Sequence, residues 1–274
     1  MKILLTGANG FVGARIKAAL PVTEAPSLRQ ASLDDIKRTV DAVAPDVIIH
    51  TAAISDISAC ERDPEASHYA NVLIPEYLAR AANGVKVVMF STDQVYSGCP
   101  GPGPYTEQDA QPANRYARHK LEMERRVLDI RPDAVMLRAT WMCDMPLYGT
   151  ANRGNFLVNM LRAAMAHTPV AFSKEQYRGI TYVREAAALM HQAILLPGGV
   201  YNFGSENTLS MYKTAQFLKK ELGLDVEISA AGTGHNLWMD CGKLEAQGWG
   251  FGTTADGLRA CIADYNLTKM TGGN

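Results

Sequence analysis

Two side chains in the stretch NRYARHK, Tyr116 and Lys120, have the types and spacing that acid–base chemistry requires. They are four residues apart, so a helix would place them on one face. A nearby cation favours the phenolate and would lower a tyrosine pKa from about 10 towards a range useful for proton transfer. A second such pair, Tyr265 and Lys269, stands near the end of the chain. Only the first pair follows a strand of the predicted sheet, and we assign the chemistry to it.

Four polar residues end the apolar run VKVVMFSTDQ. Ligands of open parallel sheets bind beyond the carboxyl ends of the strands, so Ser91, Thr92 and Asp93 are expected to face the same crevice as Tyr116. A hydroxyl there could hydrogen-bond a substrate carbonyl while the tyrosine protonates its oxygen. The alternative is that Ser91 and Asp93 only form a turn and cap a helix.

Three glycines, Gly7, Gly10 and Gly13, follow the first predicted strand in the stretch TGANGFVG. Glycines in a strand-to-helix turn allow a pyrophosphate to approach backbone N–H groups at the start of the helix. The spacing G-x-x-G-x-x-G departs from the usual dinucleotide fingerprint, G-x-G-x-x-G. The strand before and the helix after favour nucleotide binding over a glycine turn that holds nothing.

The choice of cofactor depends on the end of the second strand, where an Asp or Glu would bind a ribose 2′-hydroxyl. We expect this strand to end near Ser27 and Arg29, where no acid stands. Asp34 and Asp35 are assigned to the next helix, with Ser32 as its N-cap. An arginine suits a 2′-phosphate, so the sequence predicts NADP(H) as the preferred cofactor and NAD(H) as the alternative, although Arg29 could equally be a solvated surface charge.

Length and composition exclude several classes of protein. The 274 residues, 47% of them hydrophobic, can bury a sizeable core, and a net charge of -1 without a basic block does not suit nucleic acid. No apolar run approaches the roughly 18 residues that span a bilayer, and the start MKILLTGANG turns too soon into a glycine loop for a signal peptide. We therefore expect a cytoplasmic protein without membrane association. Five scattered cysteines without C-x-x-C spacing indicate reduced thiols and no metal site.

Short apolar runs alternate with helical patterns, which predicts an α/β fold with a Rossmann-type doubly wound parallel sheet. Residues 1–145 are predicted to form an NAD(P)-binding Rossmann domain. Residues 146–274 are predicted to form mainly a small mixed α/β substrate-binding lobe, with some segments returning to the first domain. In this lobe we expect helices at 155–167, over VREAAALMHQAIL and from Ser210 to Leu222, and strands at GVYNFG and VEIS.

The motifs TGANGFVG, PDVIIHTAAIS, FSTDQVYSG, NRYARHK and YNFGSENTLS together resemble those of the extended short-chain dehydrogenase/reductase family. Within that family the resemblance is to reductases of 4-keto nucleotide sugars. It implies that Thr92, Tyr116 and Lys120 are catalytic and that Asn71 supports the site. Together with the glycine turn, it implies that the cofactor is bound by Gly7, Asn9, Gly10, Phe11, Val12, Gly13, Arg29, Thr51, Ala52, Ala53, Ser91, Tyr116, Lys120, Ala139, Thr140 and Trp141.

The resemblance implies NAD(P)H-dependent reduction of a keto group on a nucleotide-sugar-like small molecule, and it is compatible with a homodimer. The C-terminal lobe would bind the nucleotide half of this substrate. Gln94 stands where the reductases have an aromatic residue against the sugar, which puts the identity of the sugar in question. The residues expected to bind substrate are Asp93, Gln94, Arg153, Asn155, Gln176 and Arg178.

Two other functions share these motifs. A sugar-nucleotide epimerase or dehydratase would use the same Tyr–Lys pair, but a dehydratase is expected to have a glutamate where Gln94 stands. The regulatory β subunit of methionine adenosyltransferase is similar as well, and it binds NADP(H) while serving as a partner protein. Retention of Thr92, Tyr116 and Lys120 together favours an NAD(P)-dependent oxidoreductase.

Overall fold

The computed structural model describes residues 1–148, 154–232 and 234–268. Within them the strands are β1 (Ile3–Thr6), β2 (Val22–Glu24), β3 (Val47–His50), β4 (Lys86–Thr92), β5 (Val135–Ala139), β6 (Trp141–Cys143), β7 (Val170–Phe172), β8 (Ile180–Tyr182), β9 (Gly199–Phe203) and β10 (Ile228–Ala230). A parallel central sheet has the strand order β2-β1-β3-β4-β5-β9. Helices cover both of its faces, which confirms the predicted doubly wound Rossmann-type sheet.

The helices of the described residues are α1 (Phe11–Ala19), α2 (Leu33–Val43), α3 (Ile57–Arg62), α4 (Pro64–His68), α5 (Ile74–Ala81), α6 (Arg115–Ile130), α7 (Phe156–Met165), α8 (Val183–Ala188), α9 (Met190–Ala193), α10 (Met211–Leu222), α11 (Gly242–Glu245) and α12 (Thr254–Asp264). A π-helical turn, Tyr69–Leu73, joins α4 to α5, and a 3-10 helix, Asp93–Tyr96, follows β4. α2 begins with the capping box between Ser32 and Asp35 that the sequence predicts. In the described parts of the chain, no helix is long and apolar enough to cross a bilayer.

Alternate residues of the central strands enter different hydrophobic clusters, so both faces of the sheet are buried. In β1, Leu5 packs towards α1 and α8, whereas Leu4 packs towards α2, α5 and α6. The same alternation sends the side chains of Ser91 and Thr92, the last two residues of β4, to opposite faces. Two neighbouring hydroxyls at one strand end therefore have different surroundings.

The strand order reverses between β1 and β3, because β2 lies beyond β1 while the other strands extend from β3. At such a switch point, the loops at the carboxyl ends of the two strands open a crevice in which ligands bind. Here these loops begin at Gly7 and at Thr51. The predicted nucleotide-binding residues of both loops thus meet at one place in the fold.

β2 ends at Glu24, which corrects the expectation of a strand that ends near Ser27 and Arg29 without an acid. The Glu24 carboxylate pairs with the ammonium of Lys17 on α1 at 2.5 Å. Ser27 and Arg29 are exposed in the loop between β2 and α2. A strand of three residues is too short to show an alternating pattern, so its boundary could not be located from the sequence.

The chain after β5 forms a mixed lobe with a hydrophobic core of its own. In it, β6 pairs with β8 and β7 pairs with β10. The helices predicted at 155–167 and from Ser210 to Leu222 are α7 and α10, while VREAAALMHQAIL forms two short helices, α8 and α9. GVYNFG forms β9, which joins the central sheet beside β5, and VEIS overlaps β10. The division of the chain at residue 145 stays a prediction.

A buried ion pair between Glu124 of α6 and Arg138 of β5 fixes this helix to the sheet. The two side chains are 2% and 3% exposed, and Arg138 Nη2 lies 2.7 Å from Glu124 Oε2. The hydroxyl of Ser91 on β4 donates to Glu124 at 2.5 Å, and Arg138 Nη1 donates to the hydroxyl of Tyr96 at 2.8 Å. The helix that carries Tyr116 is therefore held by two neighbouring strands.

We predict that Glu124→Gln lowers the free energy of unfolding by about 3 kcal/mol, because it leaves the Arg138 charge buried without a counter-charge. Urea unfolding monitored by circular dichroism measures this change. The matched control is Glu122→Gln on the same helix, which breaks a partly exposed pair with Arg126 and should cost under about 1 kcal/mol. Equal effects of the two substitutions would contradict the prediction.

Candidate active site

The glycine turn after β1 is closed so tightly that side chains cannot be added. Gly7 has φ +74°, and a Cβ there would lie 2.7 Å from the Ala52 nitrogen. A Cβ on Gly13 would lie 2.1 Å from the Gly7 carbonyl oxygen, which packs α1 directly against the turn. The Gly10 N–H donates to the Gly7 carbonyl at 2.8 Å, so the turn is internally hydrogen-bonded.

The first turn of α1 is suited to an anion. Gly10 is the N-cap of this helix and supplies no side-chain hydrogen bond, so the N–H groups of Phe11 and Val12 are left for another acceptor. Asn9 is exposed next to them, and Phe11 and Val12 are half-buried. Ala52 follows β3 directly beside Gly7. These residues fit the pyrophosphate of a dinucleotide, as the sequence predicts.

The loop after β3 is fixed by hydrogen bonds to Asn71, which lies in the π-helical turn. The Asn71 side chain accepts from the Ile54 N–H at 3.0 Å and donates to the Ile54 carbonyl at 2.9 Å. It also donates to Ser67, whose hydroxyl bonds with His119 on α6. Thr51 uses its hydroxyl within the protein, donating to the Thr6 carbonyl at 2.8 Å. π-helical turns are frequent at functional sites, and this one directs a buried amide at the loop after β3.

Tyr116 and Thr92 meet at the carboxyl end of the sheet. Tyr116 lies in the first turn of α6, whose N-cap is Asn114, and its phenol lies near the Thr92 side chain at the end of β4. Tyr116 and Thr92 are both 7% exposed. One turn further along α6, Lys120 is 1% exposed. The structure thus brings together the three residues predicted to be catalytic.

The electrostatics around Tyr116 differ from the expectation based on spacing. Burial raises the pKa of Tyr116 well above its usual value, the hydrogen bond from Thr92 lowers it, and the nearby Asp93 and Cys60 raise it further. The cation that lowers this pKa is Arg178, which reaches the site from the C-terminal lobe. Without ligand, burial therefore outweighs the charges, and the predicted lowering of the pKa by Lys120 is not found.

Lys120 is a buried cation with a weak hydrogen-bond partner. Its Nζ lies 3.3 Å from the thioether sulfur of Met123, and burial lowers the Lys120 pKa to about 8. His50, at the end of β3, is buried near it, and burial together with the charge of Lys120 lowers the His50 pKa to about 3. Nδ1 of His50 bonds with the Thr6 hydroxyl at 2.7 Å, while its Nε2 has no partner among the described residues. The Lys120 ammonium and Nε2 of His50 are thus both buried without a strong hydrogen-bond partner among the described residues.

Several residues predicted to contact a ligand use their polar side-chain atoms inside the protein, and their assignment as contact residues stays a prediction. Ser91 donates to Glu124, on the face of the sheet opposite to Thr92. Asn155 is the N-cap of α7 and donates to the Asp144 carbonyl at 2.7 Å, so its amide is not free for substrate. The Thr140 hydroxyl lies 2.5 Å from that of Thr181, and so it is not directed at a nicotinamide. Alternation along strands and helix capping account for these destinations.

The remaining substrate candidates lie where the lobe meets the sheet. Asp93 forms a bidentate ion pair with Arg178, whose guanidinium lies 4.9 Å from the ring centre of Trp141. Gln94 is buried and accepts from Asn114 Nδ2 at 3.1 Å. Gln176 packs its side chain against Gly234. Ala139 ends β5 beside Trp141, and Ala53 follows Ala52 in the loop after β3, whereas Arg153 lies outside the described residues.

Two features of the site were not found from the sequence. His50 stands at the end of β3 like the polar residues that end β4, and this position was the signal that could have identified it. The pairing of Asp93 with Arg178 joins residues 85 positions apart and leaves no local pattern. Among the described residues, no group of three or more His, Cys, Asp or Glu side chains is arranged to hold a metal ion.

A Rossmann-type sheet with a glycine turn at its switch point, and Thr92, Tyr116 and Lys120 at the next strand end, defines an extended short-chain dehydrogenase/reductase. More narrowly, the chain belongs to the family described as RmlD substrate binding domain, whose model matches residues 1–236. This match includes all of the central sheet and most of the C-terminal lobe.

Curated relatives are similar along most of the chain. The spore coat polysaccharide biosynthesis protein SpsK of Bacillus subtilis is 25% identical over 242 residues, which cover 85% of this chain and 83% of the relative. A dTDP-4-dehydrorhamnose reductase of Mycobacterium tuberculosis is 29% identical over 238 residues, which cover 82% and 76%. The crystal structure of dTDP-4-dehydrorhamnose reductase from Bacillus anthracis in complex with NADP has a TM-score of 0.85 at 20% identity, covering 96% and 99% of the chains. The last likeness establishes the fold alone.

We predict that Lys120→Met stabilises the cofactor-free protein at pH 7 by on the order of 3 kcal/mol, because it removes a buried charge whose folded-state pKa is lowered. The sign follows from linkage: between about pH 8 and 10.5 the unfolded chain binds the proton and the folded chain does not, so the wild type gains stability as pH rises. The advantage of Lys120→Met should therefore shrink near pH 10. Urea unfolding at both pH values measures it.

Lys220→Met, at an exposed position of α10, is the control and should change stability little at either pH. If Lys120→Met destabilised the protein at pH 7, the account of Lys120 as a poorly paired buried cation would be wrong.

Proposed function

We propose that this protein reduces a keto group on a nucleotide sugar with NAD(P)H. The observation that carries the proposal is that Tyr116 and Thr92 lie together at the end of β4, with Lys120 one turn further along α6. The curated relatives support it, because several of them are dTDP-4-dehydrorhamnose reductases. The cofactor supplies the hydride when bound, and the protein supplies orientation and proton transfer.

In this mechanism Tyr116 donates the proton that the carbonyl oxygen needs as the ketone becomes an alcohol. Thr92 donates a hydrogen bond to the same oxygen and polarises the carbonyl. Lys120 holds the ribose of the nicotinamide, where ribose hydroxyls offer its ammonium better acceptors than the Met123 sulfur. Burial of these side chains excludes water and strengthens each interaction in the site.

For the cofactor we propose NADP(H) as preferred and NAD(H) as the alternative. Arg29 is exposed beyond the end of β2 and forms no ion pair with another described residue. Glu24, the acid that does end β2, is partly neutralised by Lys17. A guanidinium without a counter-charge can bind a 2′-phosphate. A carboxylate that is paired with a cation repels this phosphate less than an unpaired carboxylate would. The Bacillus anthracis relative, crystallised with NADP, points in the same direction.

We predict that Arg29→Ala weakens NADPH binding about 10- to 100-fold, the value of one charge-assisted contact, and leaves NADH binding unchanged. Isothermal titration calorimetry with both cofactors measures this. Arg38→Ala is the control, since Arg38 is an exposed arginine of α2 that already pairs with Asp35. Parallel loss of NADPH and NADH affinity, or no loss of either, would show that Arg29 does not bind the 2′-phosphate.

Gln94 distinguishes the proposed substrate from the 6-deoxy sugar of the relatives. Asn114 holds its amide oxygen, and its Nε2 has no hydrogen-bond partner among the described residues. We propose that this amide donates to a hydroxyl or amino group of the sugar, which would make dTDP-4-dehydrorhamnose a poor substrate.

The nucleotide half of the substrate would lie against the C-terminal lobe. For the assembly we propose a homodimer, and for the location the cytoplasm, where its five cysteines would stay reduced.

Two rival functions fit the site less well. A dehydratase would require a carboxylic acid that is free beside Thr92, but both oxygens of Asp93 accept hydrogen bonds from Arg178. A purely regulatory NADP-binding subunit would not require the phenol of Tyr116 and the hydroxyl of Thr92 to lie side by side at the end of β4. An epimerase would use the same three residues, so reaction with a 4-keto substrate is what distinguishes a reductase from it.

We predict that the protein consumes NADPH with a member of a panel of 4-keto nucleotide sugars, and that Tyr116→Phe lowers kcat about 10²- to 10⁴-fold by removing the proton donor. The loss of NADPH absorbance measures the rate. Cofactor affinity and fold should be preserved, because only the hydroxyl is removed. Tyr265→Phe, at the other tyrosine with a lysine four residues on, is the control and should keep wild-type activity. No turnover with any ketone in the panel would refute the proposed function.

A further inference from the structure

The proton of the Thr92 hydroxyl is already engaged in the structure. A threonine hydroxyl has one proton to donate and two lone pairs that accept. The Gln94 N–H donates to Oγ1 of Thr92 at 3.2 Å. Thr92 itself donates to Oδ1 of Asp93 at 3.3 Å. The hydrogen bond that should polarise the substrate carbonyl is thus directed at a carboxylate.

Arg178 competes with Thr92 for the same carboxylate. Its Nη2 lies 3.1 Å from Oδ1 of Asp93, and its Nε lies 2.8 Å from Oδ2. Bidentate, charge-assisted contacts of this kind are stronger than the bond from a neutral hydroxyl. Asp93 is 1% exposed, so solvent does not provide it with other donors. Arg178 therefore satisfies the carboxylate and leaves the contact with Thr92 long and easily exchanged.

The same pair sets the charge around Tyr116. The groups that face this phenol from the elements packed against it are Asp93 and Cys60, which disfavour its anion, and Thr92 and Arg178, which favour it. When Tyr116 gives up its proton, an Asp93 carboxylate without Arg178 would oppose the developing negative charge. Arg178 lies close enough to offset that effect, because it is bound to Asp93 directly.

Arg178 is held in place from three sides. Asn207 Nδ2 donates to the Arg178 carbonyl at 3.0 Å, and the backbone of Arg178 pairs with that of Leu237. Its guanidinium rests on the face of Trp141. The Arg178 side chain is 19% exposed, so it is a fixed part of the site and not a freely moving surface charge.

We propose that Arg178 is a positioning residue: by occupying the Asp93 carboxylate, it keeps the Thr92 proton available for the substrate carbonyl. This inference rests on the proposed reductase function and adds to it a role for a residue of the C-terminal lobe. This role differs from two others that Arg178 could have, namely direct binding of the nucleotide and a purely structural link between the lobe and the sheet.

The test compares kcat and KM of wild type, Arg178→Gln, Asp93→Asn and the double variant Asp93→Asn/Arg178→Gln. Arg178→Gln should lower kcat about 100-fold, as for loss of one hydrogen bond to the reacting oxygen, with KM little changed. Neutralising Asp93 removes the competitor, so the double variant should recover to within about tenfold of wild type. Arg259→Gln, at an exposed arginine of the same lobe, is the control for lost charge.

Two results would overturn the proposal. A double variant as slow as Arg178→Gln would mean that Arg178 acts independently of Asp93, and a higher KM with unchanged kcat would mean that it binds substrate directly. If Arg178→Gln does not fold, Asp93→Asn is compared with the double variant Asp93→Asn/Arg178→Gln. Neither of these two proteins has an unpaired buried carboxylate. The proposal then requires equal kcat values in these two proteins.

A second measurement does not depend on turnover. Difluorotyrosine placed at position 116 is more acidic than tyrosine, so fluorine NMR can follow its ionisation at accessible pH in the cofactor-free protein. Arg178→Gln should raise the midpoint of this titration by about one pH unit, and Asp93→Asn/Arg178→Gln should bring the midpoint back to the value of the protein that carries neither substitution. Absence of the shift overturns the role of Arg178. A shift in a protein that reduces none of the ketones would instead refute the proposed function.

Discussion

The site depends on how α6 is fixed against the sheet. Ser91 of β4 and Arg138 of β5 stand opposite each other in register, and both bind Glu124, one turn beyond Lys120. At the other end of the helix, the N-cap Asn114 donates to Gln94, which follows β4. Tyr116 and Lys120 lie between these two fixed points. The bonds of Glu124 and Asn114 therefore set the distance between the strand ends and the side chains predicted to be catalytic.

Ion pairs also join the C-terminal lobe to the elements that carry the candidate site. Arg15 of α1 binds Asp144, which is completely buried and also pairs with Arg184 of α8. Because α1 begins at the glycine turn, this contact links the lobe to the nucleotide-binding loop, while the pair of Asp93 and Arg178 links it to Thr92. Buried pairs of this kind add little net stability, but they restrict how the two parts can be arranged.

Much of the fold and part of the site were predictable from the sequence. The strand–glycine–helix unit, the long helix with Tyr116 and Lys120 on one face and the cap of α2 by Ser32 all agree with the structure. The end of β2, the destination of the Ser91 hydroxyl and the role of Asn155 as a helix cap were missed. Each of the missed features concerns either a segment of few residues or a choice between two partners.

The sequence by itself determined the α/β class, the glycine turn and the spacing of Tyr116 and Lys120, because periodicity, capping and turn chemistry act between residues close in the chain. Tertiary structure alone decided that Asp93 meets Arg178 and that burial dominates the pKa of Tyr116. Those outcomes depend on which distant segments pack together and on how much water they exclude. Charge and solvation at a site are properties of the whole fold, and no local pattern encodes them.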